Sequence, residues 1–229
     1  MQACASPHAS LMPWSGFQVG GEPFLSAFPT EIEENIIDQL SGNTRALCSC
    51  ALTCRAWLPR SRLHLLHAIY LRDEEQLTAL YDALEKYPHR RLLVHSVTTA
   101  PKRKKAGRGS VIEIFPLALL TQLPNLRCWK INQTTTKLAE RRETLSLHRT
   151  TSICLRYSSI DKLYLTSLRF ASYAELVRLV LALPSLCELH CGDLQFAALG
   201  SNLESLKSKA SHRLSKLFNL QVSHCFLEH

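Results

Sequence analysis

Three times in this chain a run with helical apolar spacing stops at a proline and a short apolar strand follows. The stops are Tyr87-Pro88, Leu123-Pro124 and Leu183-Pro184. Proline lacks the amide hydrogen that the next helical turn needs, and its ring clashes with the turn before it, so a helix cannot run through these points. Leu123-Pro124-Asn125-Leu126 and Leu183-Pro184-Ser185-Leu186 are near copies, with the second leucine starting the next apolar layer. A chain punctuated in this way is built from units of one helix and one strand.

The units can be followed by period. Asp73-Glu74-Glu75 opens a helix carrying Leu77, Leu80, Tyr81 and Leu84, and a strand is predicted over 92–97. A second helix runs from 111 to 123, with Pro116 near its first turn, and a strand over 125–131 follows. After a polar loop at 132–143 a helix is predicted over 145–157 and a strand over 160–165. Ser172 then caps a helix that stops at Leu183, before a strand over 186–191. Leu163-x-Leu165-x-x-Leu168-x-Phe170 is echoed by Leu189-x-Cys191-x-x-Leu194-x-Phe196, 26 residues on. The earlier units are longer, 34 and 35 residues from Val94 to Cys128 and from Cys128 to Leu163.

The stretch 28–57 is organised differently. Thr30 with Glu33 fits the Ser/Thr-x-x-Glu capping box, which predicts a helix from Glu31, with Pro29 stiffening the approach. Ile32, Ile36, Ile37 and Leu40 recur at helical spacing, and the early acids suit the positive helix end. Gly42-Asn43 stops this helix. Thr44 can cap a second one, carrying Leu47, Ala51, Cys54 and Leu58, which Pro59 is expected to end. A third short helix to about 64–66 and a strand over 68–71 complete the front of the chain. About thirty residues are too few to bury an apolar stripe unaided, so the stripe must meet the rest of the chain or another protein.

The run Phe28-Pro29-x-Glu31-Ile32, then Ile36-Ile37-x-x-Leu40 and Leu47, then Leu52-Thr53-Cys54-Arg55-x-Trp57 resembles an F-box. Phe-Pro stands where the family has Leu-Pro, and polar Thr53 precedes the cysteine of the closing Cys-Arg-x-Trp. The resemblance implies a substrate-recognition subunit of an SCF-type ubiquitin ligase, docked on a Skp-type adaptor and through it on a cullin scaffold. Carried over position by position, the adaptor-binding residues would be Phe28, Pro29, Ile32, Ile36, Leu40, Leu47, Leu52, Cys54 and Trp57. Trp57 would anchor the three helices. The plainer alternative is the first helical hairpin of an ordinary core.

The units after residue 71 resemble the irregular leucine-rich repeats that often follow an F-box, above all in large fungal families. A period of about 26 falls in the range of such repeats. The resemblance implies parallel strands lining a concave face with helices outside, and a protein substrate held there. A compact α/β domain with a parallel sheet is the alternative. The expected fold is thus α+β: a small three-helix F-box followed by an irregular leucine-rich-repeat-like α/β solenoid. The expected division is a flexible lead at 1–25, the F-box at 26–71, the substrate-binding region at 72–196, and a cap or ragged end at 197–229.

Composition narrows the function classes. Nine cysteines, an odd number without regular spacing, point to reduced thiols and to cytosol or nucleus. No stretch approaches the ~20 apolar residues of a membrane span. No lysine or arginine precedes Arg45, so neither a secretory nor a mitochondrial leader is expected. Of the net charge of +8, five charges lie in one stretch, Lys102, Arg103, Lys104, Lys105 and Arg108. Lys102–Lys105 fits a nuclear import signal and fits a solvated loop equally well. Without interleaved aromatics or a groove-reading motif it argues against nucleic-acid binding. Cys48, Cys50 and Cys54 lack the further ligands that zinc needs, and strand alternation sets His190 apart from Cys187 and Cys191, so no metal site is expected. There is no phosphate-cradling glycine loop and no recognisable nucleophile–base pair, so the reading is a non-catalytic protein without cofactor. A repeat-type scaffold acting outside any ligase, possible in the nucleus, is the second functional reading.

Overall fold

The computed structural model describes residues 29–101, 110–133, 144–145, 149–198 and 219–227. The chain opens with three helices, α1 (Thr30–Gln39), α2 (Thr44–Thr53) and α3 (Trp57–His67). α1 begins one residue earlier than the capping box predicts. The Pro29 carbonyl, not the Thr30 side chain, accepts from the first free amides, those of Ile32 and Glu33. Gly42, with φ +90°, makes the turn, and Asn43 rather than Thr44 caps α2, its Oδ1 accepting from the Ala46 amide at 3.1 Å. Pro59 does not end α2. It stands in the first turn of α3, where its missing N–H has no intrahelical partner to lose. The break comes earlier, at extended Cys54.

α3 runs straight into β1 (Ala68–Leu71), and from there helices and strands alternate. α4 (Glu74–Lys86) is capped by Asp73 and is followed by a 3₁₀ turn, Pro88–Leu93, and β2 (Ser96–Thr99). The strand predicted over 92–97 therefore begins later, because Pro88 starts a 3₁₀ turn and does not lead directly into a strand. α5 (Val111–Ala118) opens with a capping box between Ser110 and Glu113. A 3₁₀ turn at Leu120–Gln122 and β3 (Cys128–Asn132) follow. β4 (Thr144–Leu145) pairs with β6, so the helix predicted from 145 is shorter: α6 spans Arg149–Arg156. β5 (Lys162–Thr166), β6 (Arg169–Ser172), α7 (Tyr173–Ala182), β7 (Glu188–Ala198) and β8 (Asn219–Leu227) complete the order.

All the strand pairs are parallel, in a curled sheet of order β1-β2-β3-β5-β7-β6-β4, with β8 on the other side of β7. β8 carries the sheet past residue 196, where the expected repeat region ends. The echo at 26 residues is also the register: Leu163 pairs with Leu189 and Leu165 with Cys191. One column of the sheet runs Val97, Trp129, Leu163, Leu189, and the next runs Thr99, Ile131, Leu165, Cys191. These residues are buried, and they share one core with Leu77, Leu84, Ile112, Phe115, Leu155, Leu179 and Val180 of the helices. The helices α4 to α7 lie side by side over this one face. Thr99, polar yet fully buried, accepts a hydrogen bond from Trp129 Nε1 at 3.3 Å.

Strict alternation cannot bury Leu163, Leu165, Leu168 and Phe170 together, since the parity changes between 165 and 168. Ser167 solves this with φ +56°, and Asp193 does the same in β7 with φ +54°. One left-handed residue in each line shifts the side-chain parity by one. The two turns are joined, with Ser167 Oγ donating to Asp193 Oδ2 at 3.2 Å.

Candidate functional site

Two surfaces are candidates: the front three helices and the face of the sheet that none of the described helices covers. In α1 the apolar residues split into two stripes. Ile37 is 1 % exposed, and it faces inward with Glu33. Ile32 and Ile36, one turn apart, are each 44 % exposed, and Leu40 beyond them is half-buried. From α2, Leu47 and Cys50 fill the interior while Leu52 is 87 % exposed. Pro29 and Cys54 are exposed as well. Of the residues expected on a docking surface, Leu47 is 2 % exposed and faces the interior of the three helices. Trp57 is half-buried at the start of α3, so it is not the fully enclosed anchor that the motif suggests. Phe28 and Lys102–Lys105 lie outside the described residues.

The three helices are tied by charge as well as by apolar contact. Arg60 of α3 reaches Asp38 of α1 through both carboxylate oxygens, with Nε donating to Oδ1 at 2.6 Å and Nη2 to Oδ2. His64, one turn on, donates from Nε2 to the same Oδ1 at 2.7 Å. The hydrogen bonds from Arg60, then from His64, hold the Asp38 carboxyl well below the usual carboxylate range. At the junction with the sheet the rings of His67 and His95 stack at 4.6 Å, and the His95 amide donates to the His67 carbonyl. Burial, and then the neighbouring His95 and His64, push the His67 pKa down. The helices therefore meet the sheet through a direct contact and not through a linker.

Parallel sheets are generally covered on both faces. Here the second face carries polar and aromatic side chains in register. The middle row is Tyr70, Thr98, Lys130, Tyr164, His190 and Gln221. Beside it run Ser96, Cys128, Lys162, Glu188 and Asn219. Tyr164 and His190 stack at 4.3 Å and 3°. Lys130 Nζ sits 5.2 Å from the Tyr164 ring centre, and Lys162 Nζ donates to Glu188 Oε1 at 2.8 Å. Burial pushes the Cys128 thiol up, so it stays protonated and weakly nucleophilic at neutral pH. Periodicity in the strands gave this row only as polar alternate positions. What assembles it is the register, which a single sequence does not display.

Cys48, Cys50, Cys54, Cys128, Cys154 and Cys187 form no disulfide; Cys50 and Cys191 are buried and Cys48 and Cys54 exposed. Among the described residues no group of three His, Cys, Asp or Glu side chains is placed to hold a metal ion, and no helix is long and apolar enough to cross a membrane. A cavity of 110 Å³ between α6, α7 and β6, lined by Thr151, Leu155, Phe170 and Arg178 among others, is well below the ~300 Å³ at which cofactor-sized pockets begin. Comparison with protein-family models gives no match to this chain, and comparison with curated proteins gives no significant one.

Proposed function

We propose that this protein is the substrate-recognition subunit of an SCF-type ubiquitin ligase. The front helices, α1 to α3, dock on a Skp-type adaptor and so on a cullin scaffold, while the sheet region holds a protein substrate in the cytoplasm or nucleus. The observation that carries this reading is the exposed apolar stripe of Ile32 and Ile36, in a unit that has already filled its own interior with Ile37, Leu47 and Cys50. Exposed aliphatic side chains arranged one turn apart suit a partner helix or groove. The F-box resemblance supplies the identity of that partner. The close junction through α3, His67 and His95 supports the same reading, because a bridge between two proteins works by fixing one relative to the other. Transfer chemistry then belongs to the partner subunits, and this chain contributes effective concentration.

The test is capture of purified Skp-type adaptor by the full chain. Ile32→Asp combined with Ile36→Asp should weaken capture by at least about tenfold, with the circular dichroism spectrum unchanged. A folded wild-type chain that leaves the adaptor in solution would overturn the reading in favour of a scaffold acting outside the ligase.

A further inference from the structure

We infer that the open face of the sheet binds an extended acidic polypeptide segment, with Lys130 and Arg72 as its charge contacts and the Tyr164–His190 stack as its platform. The inference rests on the sheet region being the substrate-holding part, and it names the chemistry of that substrate.

The argument starts from the charges of the face. Asp161 faces Arg127 Nη1 at 4.0 Å, Glu188 accepts from Lys162, and Asp193 accepts from Ser167. Each of these carboxylates has a neighbour on the chain, Glu188 having the closest cation, although Asp161 Oδ1 itself accepts no hydrogen bond from the described residues. Two cations stand differently. Lys130 lies over the Tyr164 ring, and the Arg72 guanidinium lies 4.9 Å from the centre of the Tyr70 ring. Among the described residues no carboxylate stands within ion-pair distance of either. A cation held over an aromatic ring keeps its charge available while its side-chain freedom is already reduced, so less is lost when an anion arrives.

The platform is equally well prepared. His190 is held on both sides, by the Tyr164 ring and by a hydrogen bond from Nδ1 to Gln221 Oε1 at 3.0 Å. Burial pushes the Tyr164 phenol further above the neutral range. β3, β5 and β7 are paired on both edges, so recognition on this face comes from side chains.

Spacing defines the ligand. Lys130 is on β3 and Arg72 just follows β1, two strand steps across and two residues along, which places their origins roughly 10–12 Å apart. An extended chain covers that distance in about three residues. In the polyproline II form, with about three residues per turn, side chains at i and i+3 lie on the same side, so the preferred segment is of that extended form and carries acidic side chains at positions i and i+3. Nucleic acid fits less well: two uncommitted cations interleaved with three carboxylates do not make the continuous basic stripe that a phosphate backbone requires.

The test is fluorescence anisotropy on the full chain with a labelled Gly/Ser peptide of about twelve residues carrying two glutamates three apart. Controls are the same peptide with two glutamines, the same with two lysines, and a single-stranded oligothymidine. The glutamate peptide should bind at least about tenfold more tightly than the glutamine peptide, and added salt should weaken it. Lys130→Gln with Arg72→Gln should abolish the difference, while Lys86→Gln on α4 should not. Tyr164→Ala should weaken binding and Tyr164→Phe should restore most of it. Equal binding of the glutamate and glutamine peptides, no effect of the double variant, or tighter binding of the oligothymidine would each overturn the assignment. The Ile32→Asp, Ile36→Asp chain should still bind the peptide, so failure here and failure of adaptor docking are separate results.

Discussion

The front three helices and the sheet region divide their leucines and isoleucines between interior and surface in different proportions. From Leu71 to Phe196 most of the described large aliphatic side chains lie in one continuous core, with Trp129, Phe115 and Phe170 at most 1 % exposed, while Leu92, Leu117 and Ile153 stand singly at the surface. From Thr30 to His67 the fully enclosed apolar side chains are Ile37, Leu47 and Cys50, while Ile32, Ile36, Leu52 and Leu63 stand in solvent. The difference is not one of composition, since both regions have enough apolar residues to make an interior. It lies in where the helical period places them. In α1 the stripe 33/37 is spent on the neighbouring helices, and the stripe 32/36/40, about a hundred degrees away at one residue per step, is left over. A region that completes its interior and still shows a row of isoleucines has apolar surface that no described part of the chain covers.

Substitutions can break this contrast, and the largest expected effects are in the interiors. Trp129→Ala should cost about 3–5 kcal/mol, since it empties the middle of the sheet and removes the donor to buried Thr99. Leu47→Ala should cost about 2–4 kcal/mol, confined to the front helices. Hydrogen exchange distinguishes the two. Trp129→Ala should raise exchange across β2, β3 and β5 together, and Leu47→Ala should raise it over residues 30–67 while the sheet remains protected. Equal loss of protection in both regions after Leu47→Ala would mean that the front helices are part of the main core, and the contrast would fail.

Much of this architecture was legible in the proline stops and the apolar period. Helix-to-strand order, the leucines after Pro124 and Pro184, and the pairing of the 163 and 189 strands all follow from local sequence. Three things did not. Pro59 reads as a stop, because the same residue ends one helix or begins the next, and only the extended backbone at Cys54 decides between them. The parity change at Ser167 and Asp193 carries no glycine to announce a left-handed residue. β8 follows Leu220-x-Val222-x-x-Cys225-x-Leu227, a third copy of the strand motif, and its signal was present but lay behind a run of helical spacing. The candidate surfaces were legible to different degrees. The period found Ile32 and Ile36 but grouped Ile37 and Leu47 with them, since hydrophobic spacing does not say which of two adjacent stripes a neighbour will cover. The row from Tyr70 to Gln221 exists only through the register of six strands.

The charge clamp of the front helices gives a prediction in pH. Asp38 has a depressed folded pKa, so its contribution is fully present above its unfolded value of about 3.9 and is lost as pH falls further. His67 also has a depressed folded pKa. Its neutral ring is favoured in the folded chain, so acidification below about 6.5 favours the unfolded state, which takes up the proton more readily. Two windows follow. Thermal midpoints of the wild type should decline gently below pH 6.5 and steeply below pH 4. Asp38→Asn should lower the midpoint at pH 7 and flatten the steep part, whereas His67→Gln should flatten the gentle part only. A steep part unchanged in Asp38→Asn would assign it to other carboxylates and remove the clamp from the account of how α1 is held on α3.

The smallest expected change is the one that bears most directly on the contrast. If Ile36 belongs to a surface reserved for a partner, the isolated chain gains little from it. Ile36→Ser should then alter stability by no more than about 0.5 kcal/mol, the range of ordinary surface substitutions, and the loss of an exposed branched side chain should improve solubility. Ile37→Ser, one residue further along the same helix, should cost several times as much, because it places a hydroxyl in the closed interior. Chemical denaturation of the two variants measures both. A cost at Ile36 approaching that at Ile37 would show that the isoleucine row is already in use by the chain itself, and the front helices would then have nothing left to offer an adaptor.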